Sequence, residues 1–338
     1  MKNILSLTFA ALVLSASSCA TQAGTTTVSR NMEVNNFTEI DLTGPMNVIY
    51  QASSKPHIKI DGPDKAVAQL EIEVKGSQLI ISCKDRNGHS WNDDIDDVTI
   101  YAYSPRADKF TITGSGDIHV NSDINTGGEA QFKILGSGDM YASNVKAGNV
   151  KATVNGSGDL YLDLVDAGSI TATVNGSGDL TIQQANASNE FVTSVSGSGD
   201  ITISSASSKD ASTTVNGSGD MLIESLKTSS FTCSVNGSGD LECESLQAIN
   251  AAASIAGSGD ITLAGRSGSA GYNVVNSGWI DAADLIVDNV SANVTGSGTI
   301  ECTANATLKA NVSGSGEIEY SGNPKLSASG KVENIYKE

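Results

Sequence analysis

The sequence predicts an all-β protein: a β-helix (β-solenoid) of about twelve coils near 20 residues each, with a β cap at its N-terminal end. Three observations predict it. The tetrapeptide Gly-Ser-Gly-Asp occurs eight times, with its aspartates 20 to 22 residues apart. Apolar residues flank each copy two positions apart, which is the strand period. Glycine, 35 of 338 residues, sits at fixed offsets in each repeat, and long amphipathic helical patterns are missing.

The chain opens with Lys2, an apolar run over residues 4–14, and Ser15-Ala16-Ser17-Ser18 before Cys19, in the order of an export signal. The run is too short to span a bilayer. A cysteine directly after small residues resembles the lipobox of bacterial lipoproteins, although Ala16 stands where leucine is more usual. The resemblance implies a signal peptide over residues 1–18 and a lipid on the thiol of Cys19. An ordinary cleaved signal with a coincidental cysteine is the alternative. Each buried methylene of an acyl chain contributes about 0.8 kcal/mol, so a multiply acylated Cys19 holds the protein on a membrane. Residues 19–30, rich in Thr and Ser, then read as a lipidated tether. By analogy with lipoprotein sorting, the lack of Asp after Cys19 points to the outer membrane, and the side it faces, periplasm or surface, stays open. The formal charge of -18 argues against nucleic acid and anionic headgroups as partners.

Residues 31–110 do not repeat and are assigned to an N-terminal β cap and first strands. Strand-period pairs recur there, as in Ile40 and Leu42, Ile58 and Ile60, and Leu79 and Ile81. The runs on either side of Lys75-Gly76-Ser77-Gln78 read as a hairpin. A solenoid leaves an open edge at each end, and a non-repeating β segment covers one of them. The loop at residues 89–97 crowds Asp93, Asp94, Asp96 and Asp97 beside Trp91. Such oxygen-rich clusters suit calcium, but the loop lacks EF-hand spacing and its bend glycine, and a solvated acidic loop is favoured.

Residues 111–338 are the solenoid. The motif aspartates are Asp117, Asp139, Asp159, Asp179, Asp200, Asp220, Asp240 and Asp260. Apolar or small residues recur seven and five before each Asp and one and three after it, as in Ala152, Val154, Leu160 and Leu162 around Asp159. Each coil is therefore a strand, a sharp corner and a second strand, stacked in parallel about 4.8 Å from its neighbours. The motif decays at Ser277-Gly278-Trp279, Ser297-Gly298-Thr299 and Ser315-Gly316-Glu317, and Ser329-Gly330-Lys331-Val332 reads as a last, truncated corner. The rod is roughly 58 Å long.

The corner residues invite a physical account. The glycines are expected to supply positive φ, and Ser and Asn to exchange hydrogen bonds with their copies above and below. Stacked carboxylates about 4.8 Å apart repel by about 0.9 kcal/mol per pair in water and about 3.5 kcal/mol at an effective dielectric of 20. Backbone N-H groups donated to the Asp column are the favoured compensation. A ladder of calcium ions between coils is the alternative, drawn from the glycine-rich repeats of secreted toxins; those carry the motif twice per coil, against once here.

The remaining chemistry-bearing residues are sparse. Cys83, Cys233, Cys243 and Cys302 fall on inward positions and are expected to be buried free thiols, with a Cys233–Cys243 bridge as the alternative. His57, His89 and His119 show no triad or metal-ligand spacing. No catalytic residue is assigned.

A signal ending at Cys19, a β-rich opening around Phe37-Thr38-Glu39-Ile40 and the serial Gly-Ser-Gly-Asp corners resemble the Bacteroidota family named putative auto-transporter adhesin, head GIN domain. The resemblance covers nearly the whole mature chain and implies a right-handed parallel β-helix on an exported protein. The resulting expectation is a non-catalytic cell-envelope lipoprotein serving adhesion or envelope interaction, with a glycan or an envelope or host protein as partner. A structural or stress-related periplasmic scaffold is the alternative. A polysaccharide-active β-helix enzyme ranks below both, because coils held near 20 residues leave no long loops to wall a groove.

Overall fold

The computed structural model describes residues 26–84 and 94–338. They form a β-solenoid of about eleven turns with almost no helix. One apolar cluster runs from Phe37 to Ile335 along its length.

Coils stack in parallel register with like over like: Tyr141 lies on Tyr161, Ala147 on Ala167 and Val154 on Val174. All four columns expected to face inward do so from Phe110 to Leu263. The coil is nevertheless richer than a strand, a corner and a strand. Pairing in the coil after Asp139 falls into three segments, 140–142, 144–147 and 149–154. Two further columns point inward. One, six after each Asp from Asp139 to Asp240, runs Val145, Val165, Ala185, Ala206, Leu226 and Leu246. The other, nine before it, runs Ala130, Val150, Ile170, Phe191, Ala211, Phe231 and Ala251. Both mix Ala with much larger residues, so their periodicity is weak in the sequence. The interior accepts the mixture because neighbouring coils compensate in volume.

The N-terminal region departs most from expectation. Its elements are β1 (Thr27–Glu33), β2 (Glu39–Leu42), β3 (Asn47–Ala52), β4 (His57–Pro63), α1 (Asp64–Val67), β5 (Leu70–Lys75), β6 (Gln78–Cys83), β7 (Thr99–Ser104), β8 (Lys109–Ile112) and β9 (Ile118–Val120). β2 lies in parallel between β6 and β8, and β3 between β7 and β9. The solenoid therefore begins at Glu39, not at 111. The first rung laid down by the chain is second in space, beneath the rung formed later by β6 and β7. Its corner, Thr43-Gly44-Pro45-Met46, lacks the motif but occupies the same place: a Cβ on Gly114 would lie 2.5 Å from the Gly44 carbonyl oxygen.

The cap proper is antiparallel. β5 covers the edge of β6 as the expected hairpin, with Gly76 at φ +65° in the turn. β4 covers β7, and β1 covers β4. α1 closes the end with buried Ala66 and Val67. The two outermost strands carry charges, Arg30 and Glu33 on β1 and Glu71, Glu73 and Lys75 on β5, which discourage pairing with another chain. Residues 27–30, assigned to the tether from composition, are part of β1, and Arg30 pairs with Asp64.

At the other end the last corner is real but built differently. Gly330 adopts φ +72°, and a short 3-10 turn follows over Val332–Asn334. Val332 is half exposed, and Ile335 instead pairs with Ile318 and continues the inward column. Asn334 Nδ2 donates to the Gly316 carbonyl at 2.8 Å, in the place of the backbone N-H groups that Thr299 and Glu317 give to Gly278 and Gly298 in the two corners before it.

Candidate functional site

The corner glycines are required for a reason other than the one expected. From Gly114 to Gly259 none of the motif glycines has a positive φ. The constraint is stacking. The Gly136 carbonyl accepts N-H groups from Ser157 at 2.9 Å and Gly158 at 3.4 Å in the coil above. That geometry brings the oxygen under Gly156, where an added Cβ would lie 1.8 Å away. The same contact recurs at 1.9 to 2.2 Å for the first motif glycine of each coil from Gly136 to Gly257 other than Gly156. Positive φ enters in the corners outside the eight motif copies, at Gly44, Asn276, Gly296, Gly314 and Gly330.

Where the corner interrupts the backbone ladder, the aspartates supply the missing acceptors. Oδ1 of each Asp accepts the N-H of the Asp one coil on, at 2.7 to 2.9 Å from Asp117 to Asp260. The chain of bonds starts at Asn47 Oδ1, which accepts the Asp117 N-H at 3.3 Å, and ends at the Trp279 N-H, which donates to Asp260 at 3.1 Å. The aspartates from Asp139 to Asp240 are exposed. Among the described residues no group of three His, Cys, Asp or Glu side chains converges to hold a cation. A substitution separates charge from hydrogen bonding here. Asp159→Ala is expected to cost about 1 kcal/mol through the lost acceptor. Asp159→Asn keeps Oδ1, relieves repulsion of about 0.9 kcal/mol per neighbour, and is expected to be neutral or stabilising. Melting in chelator should leave both differences unchanged; dependence on calcium would instead support the cation ladder.

The other outward columns are partly self-satisfied. Asn175 donates to Asn155 at 2.7 Å and Asn236 to Asn216 at 2.9 Å, so the expected amide ladder forms in pairs, interrupted by Ser196 and Ala256. The serine ladder does not form: among the described residues the corner hydroxyls make one mutual bond, Ser277 with Ser297 at 3.4 Å. Tyr141 and Tyr161 stack with centroids 5.3 Å apart, and Tyr141 Oη donates to Asp163 at 2.6 Å. The rings thus face one another along the rod and present their edges to solvent. Asp281, Glu301 and Glu319 stack in one column. Burial and these neighbouring carboxylates push the Glu301 carboxyl upward. A raised folded value means that stability falls as the pH rises from the ordinary glutamate value through the raised one. Glu301→Gln is therefore expected to raise the melting temperature at neutral pH, with the gain vanishing below about pH 4.

Asp94 is half-buried and Asp96 and Asp97 are exposed in a turn pinned by buried Ile95 and Val98. Asp93, His89 and Cys19 lie outside the described residues. His57 stacks on Tyr103 at 4.1 Å, and His119 is tilted against Tyr141. All four described cysteines are free; Cys233, Cys243 and Cys302 are buried, and Cys83 is half-buried. Burial pushes the Cys243 and Cys302 thiols up to about 12, which leaves them unreactive.

Two depressions adjoin along the third side of the coils. One, of about 380 Å³, lies at Lys146, Asp166 and Asn186; the other, of about 600 Å³, lies between Ser205 and Arg266. Between them they contain one carboxylate, Asp166. A third, of about 460 Å³, lies between β1 and β5, where Glu73 is ion-paired to Lys75. No nucleophile-base pair lines any of them.

The family model for "Putative auto-transporter adhesin, head GIN domain" matches residues 36–228 and 211–324. The chain belongs to this family. The match starts at Asn36, before the first motif, in agreement with a solenoid that begins at Glu39. No curated protein matches the chain. Similar solved structures of putative adhesins come from Bacteroides fragilis (20% identity, 94% of this chain and 96% of that one, TM-score 0.28) and Parabacteroides distasonis (20%, 93% and 95%, 0.30). A putative lipid binding protein from Parabacteroides distasonis is 19% identical over 92% of this chain and 94% of its own, with a TM-score of 0.26.

Proposed function

We propose that this member of the head GIN domain family is a non-catalytic cell-envelope lipoprotein whose rod serves as an adhesion or envelope-interaction module. The regularity of the walls carries the reading. Between Asp117 and Asp260 every coil holds 20 to 22 residues, so the Ser and Asp columns of the corner run unbroken and no inserted loop walls a catalytic cleft. Family membership supports an envelope setting. The lipid at Cys19, the outer-membrane location and the exclusion of nucleic acid rest on the sequence and belong to the same proposal. No helix among the described residues is long and apolar enough to cross a membrane.

One observation favours the second reading, a structural spacer: the Asp, Asn and Tyr columns satisfy one another, leaving fewer groups for a ligand. Protease shaving of intact cells, with lysed cells as control, decides between them. Coil peptides released from intact cells support adhesion; protection until lysis supports a periplasmic scaffold. Loss of detergent-phase partitioning in Cys19→Ser is expected if Cys19 carries the lipid.

A further inference from the structure

We infer that the depression between Ser205 and Arg266 is a binding groove for an anionic polysaccharide. This rests on the reading of the rod as a binding module and adds the class of ligand to it.

Residues 152–308 contain 17 carboxylates and only three cations, Lys209, Lys227 and Arg266. Lys209 lies 3.9 Å from Asp210. Lys227 and Arg266 are exposed, form no ion pair among the described residues, and both line this groove, whose lining contains no carboxylate. An acidic rod thus keeps two free cations together on one face.

Lys227 stacks on Gln247, and Gln247 on Arg266, so the cations stand two rungs apart, about 9.6 Å, on either side of an amide. Ser205, Ser225 and Ser245 run beside them on successive coils, and their hydroxyls make no hydrogen bond to the protein among the described residues. Gly265 bends the rung that presents Arg266: its φ is +122°, and the register shifts on both sides, between Cys243 and Leu246 and between Thr262 and Gly265. A bulge of this kind re-aims the following side chain.

The chemistry selects the ligand. Ala206, Leu226 and Leu246 form the floor of the groove but are at most 4% exposed, so they offer a peptide or acyl chain little apolar contact. Free hydroxyls, an amide and two spaced cations suit a hydroxyl-rich chain bearing carboxylates. Such a chain laid along the rod meets an equivalent rung about every 4.8 Å.

The test is affinity electrophoresis of the full chain in gels containing polygalacturonate, with dextran as neutral control and co-sedimentation with anionic phospholipid vesicles as a second arm. Polygalacturonate should retard the protein, and added salt should weaken the effect. The K227Q/R266Q variant should bind about tenfold more weakly with an unchanged melting temperature. The charge-matched K309Q/K325Q variant should bind as the parent does. Equal retardation of K227Q/R266Q and parent, no retardation by polygalacturonate, or binding to vesicles alone would overturn the assignment. If the protein binds a neutral glycan instead, the groove falls but the binding-module reading stands; if it binds no glycan and no cell surface, both fall.

Discussion

Gly176→Ala is expected to destabilise the rod by about 3 kcal/mol or more, as at the other stacked corner glycines. The new Cβ would lie 2.0 Å from the Gly156 carbonyl oxygen and 2.9 Å from its carbon. Both are backbone atoms, held by the N-H groups of Ser177 at 2.9 Å and Gly178 at 3.1 Å, so no side chain can swing aside. Relief requires the two coils to separate at the corner, which breaks the Asp159–Asp179 bond as well. Gly271→Ala is the control. Nothing lies within 4 Å of a Cβ there and its φ is not positive, so the substitution is expected to stabilise by about 0.5 kcal/mol through reduced chain entropy. Denaturant melts of the two variants check the account; equal destabilisation would show that glycine matters at the corner for some reason other than contact.

A chain starting at residue 105 is expected to lose the soluble monomer altogether, although it keeps every Gly-Ser-Gly-Asp copy. Without β2 and β3, the strands β8 and β9 become open edges, and Phe110, Ile112, Ile118 and Val120, each at most 1% exposed, end an uncovered core. The Tyr50 ring, 5.6 Å from Phe110, is lost with them. Excising residues 160–179 should be far milder. Asp159 then precedes Leu180 in register, and the rod shortens by one coil with like residues still over like. Size exclusion and thermal melts of both deletions provide the comparison. A soluble, cooperatively melting chain from residue 105 would show that the region before it is dispensable.

Legibility varied with how the physical constraint repeats. The columns at Val154 and Leu160 were readable because every coil must fill the same slot with a similar side chain. The column holding Ala185, Ala206 and Leu226 was not, because volume there is shared among coils and no one residue type recurs. The rung at Glu39–Leu42 was hidden for a related reason. Its corner has Pro45 and Met46 where the motif has Ser and Gly, and its neighbour in space, β6, is nearly 40 residues away in sequence. For the candidate site, the Asp column was evident from its spacing, whereas the groove at Lys227 and Arg266 was not. Its serines recur five residues after Asp200, Asp220 and Asp240, but Lys227, Gln247 and Arg266 share no residue type and meet only when coils stack.

By itself the sequence determined the architecture: a 20-residue period with two apolar positions on each side of a glycine corner has no way to bury its surface except by stacking in register. Only the tertiary structure decided which rung comes first, why the corner must be glycine and where the free cations gather. Each of these depends on what lies one coil above or below, a neighbour set by through-space contact and not by the local chain.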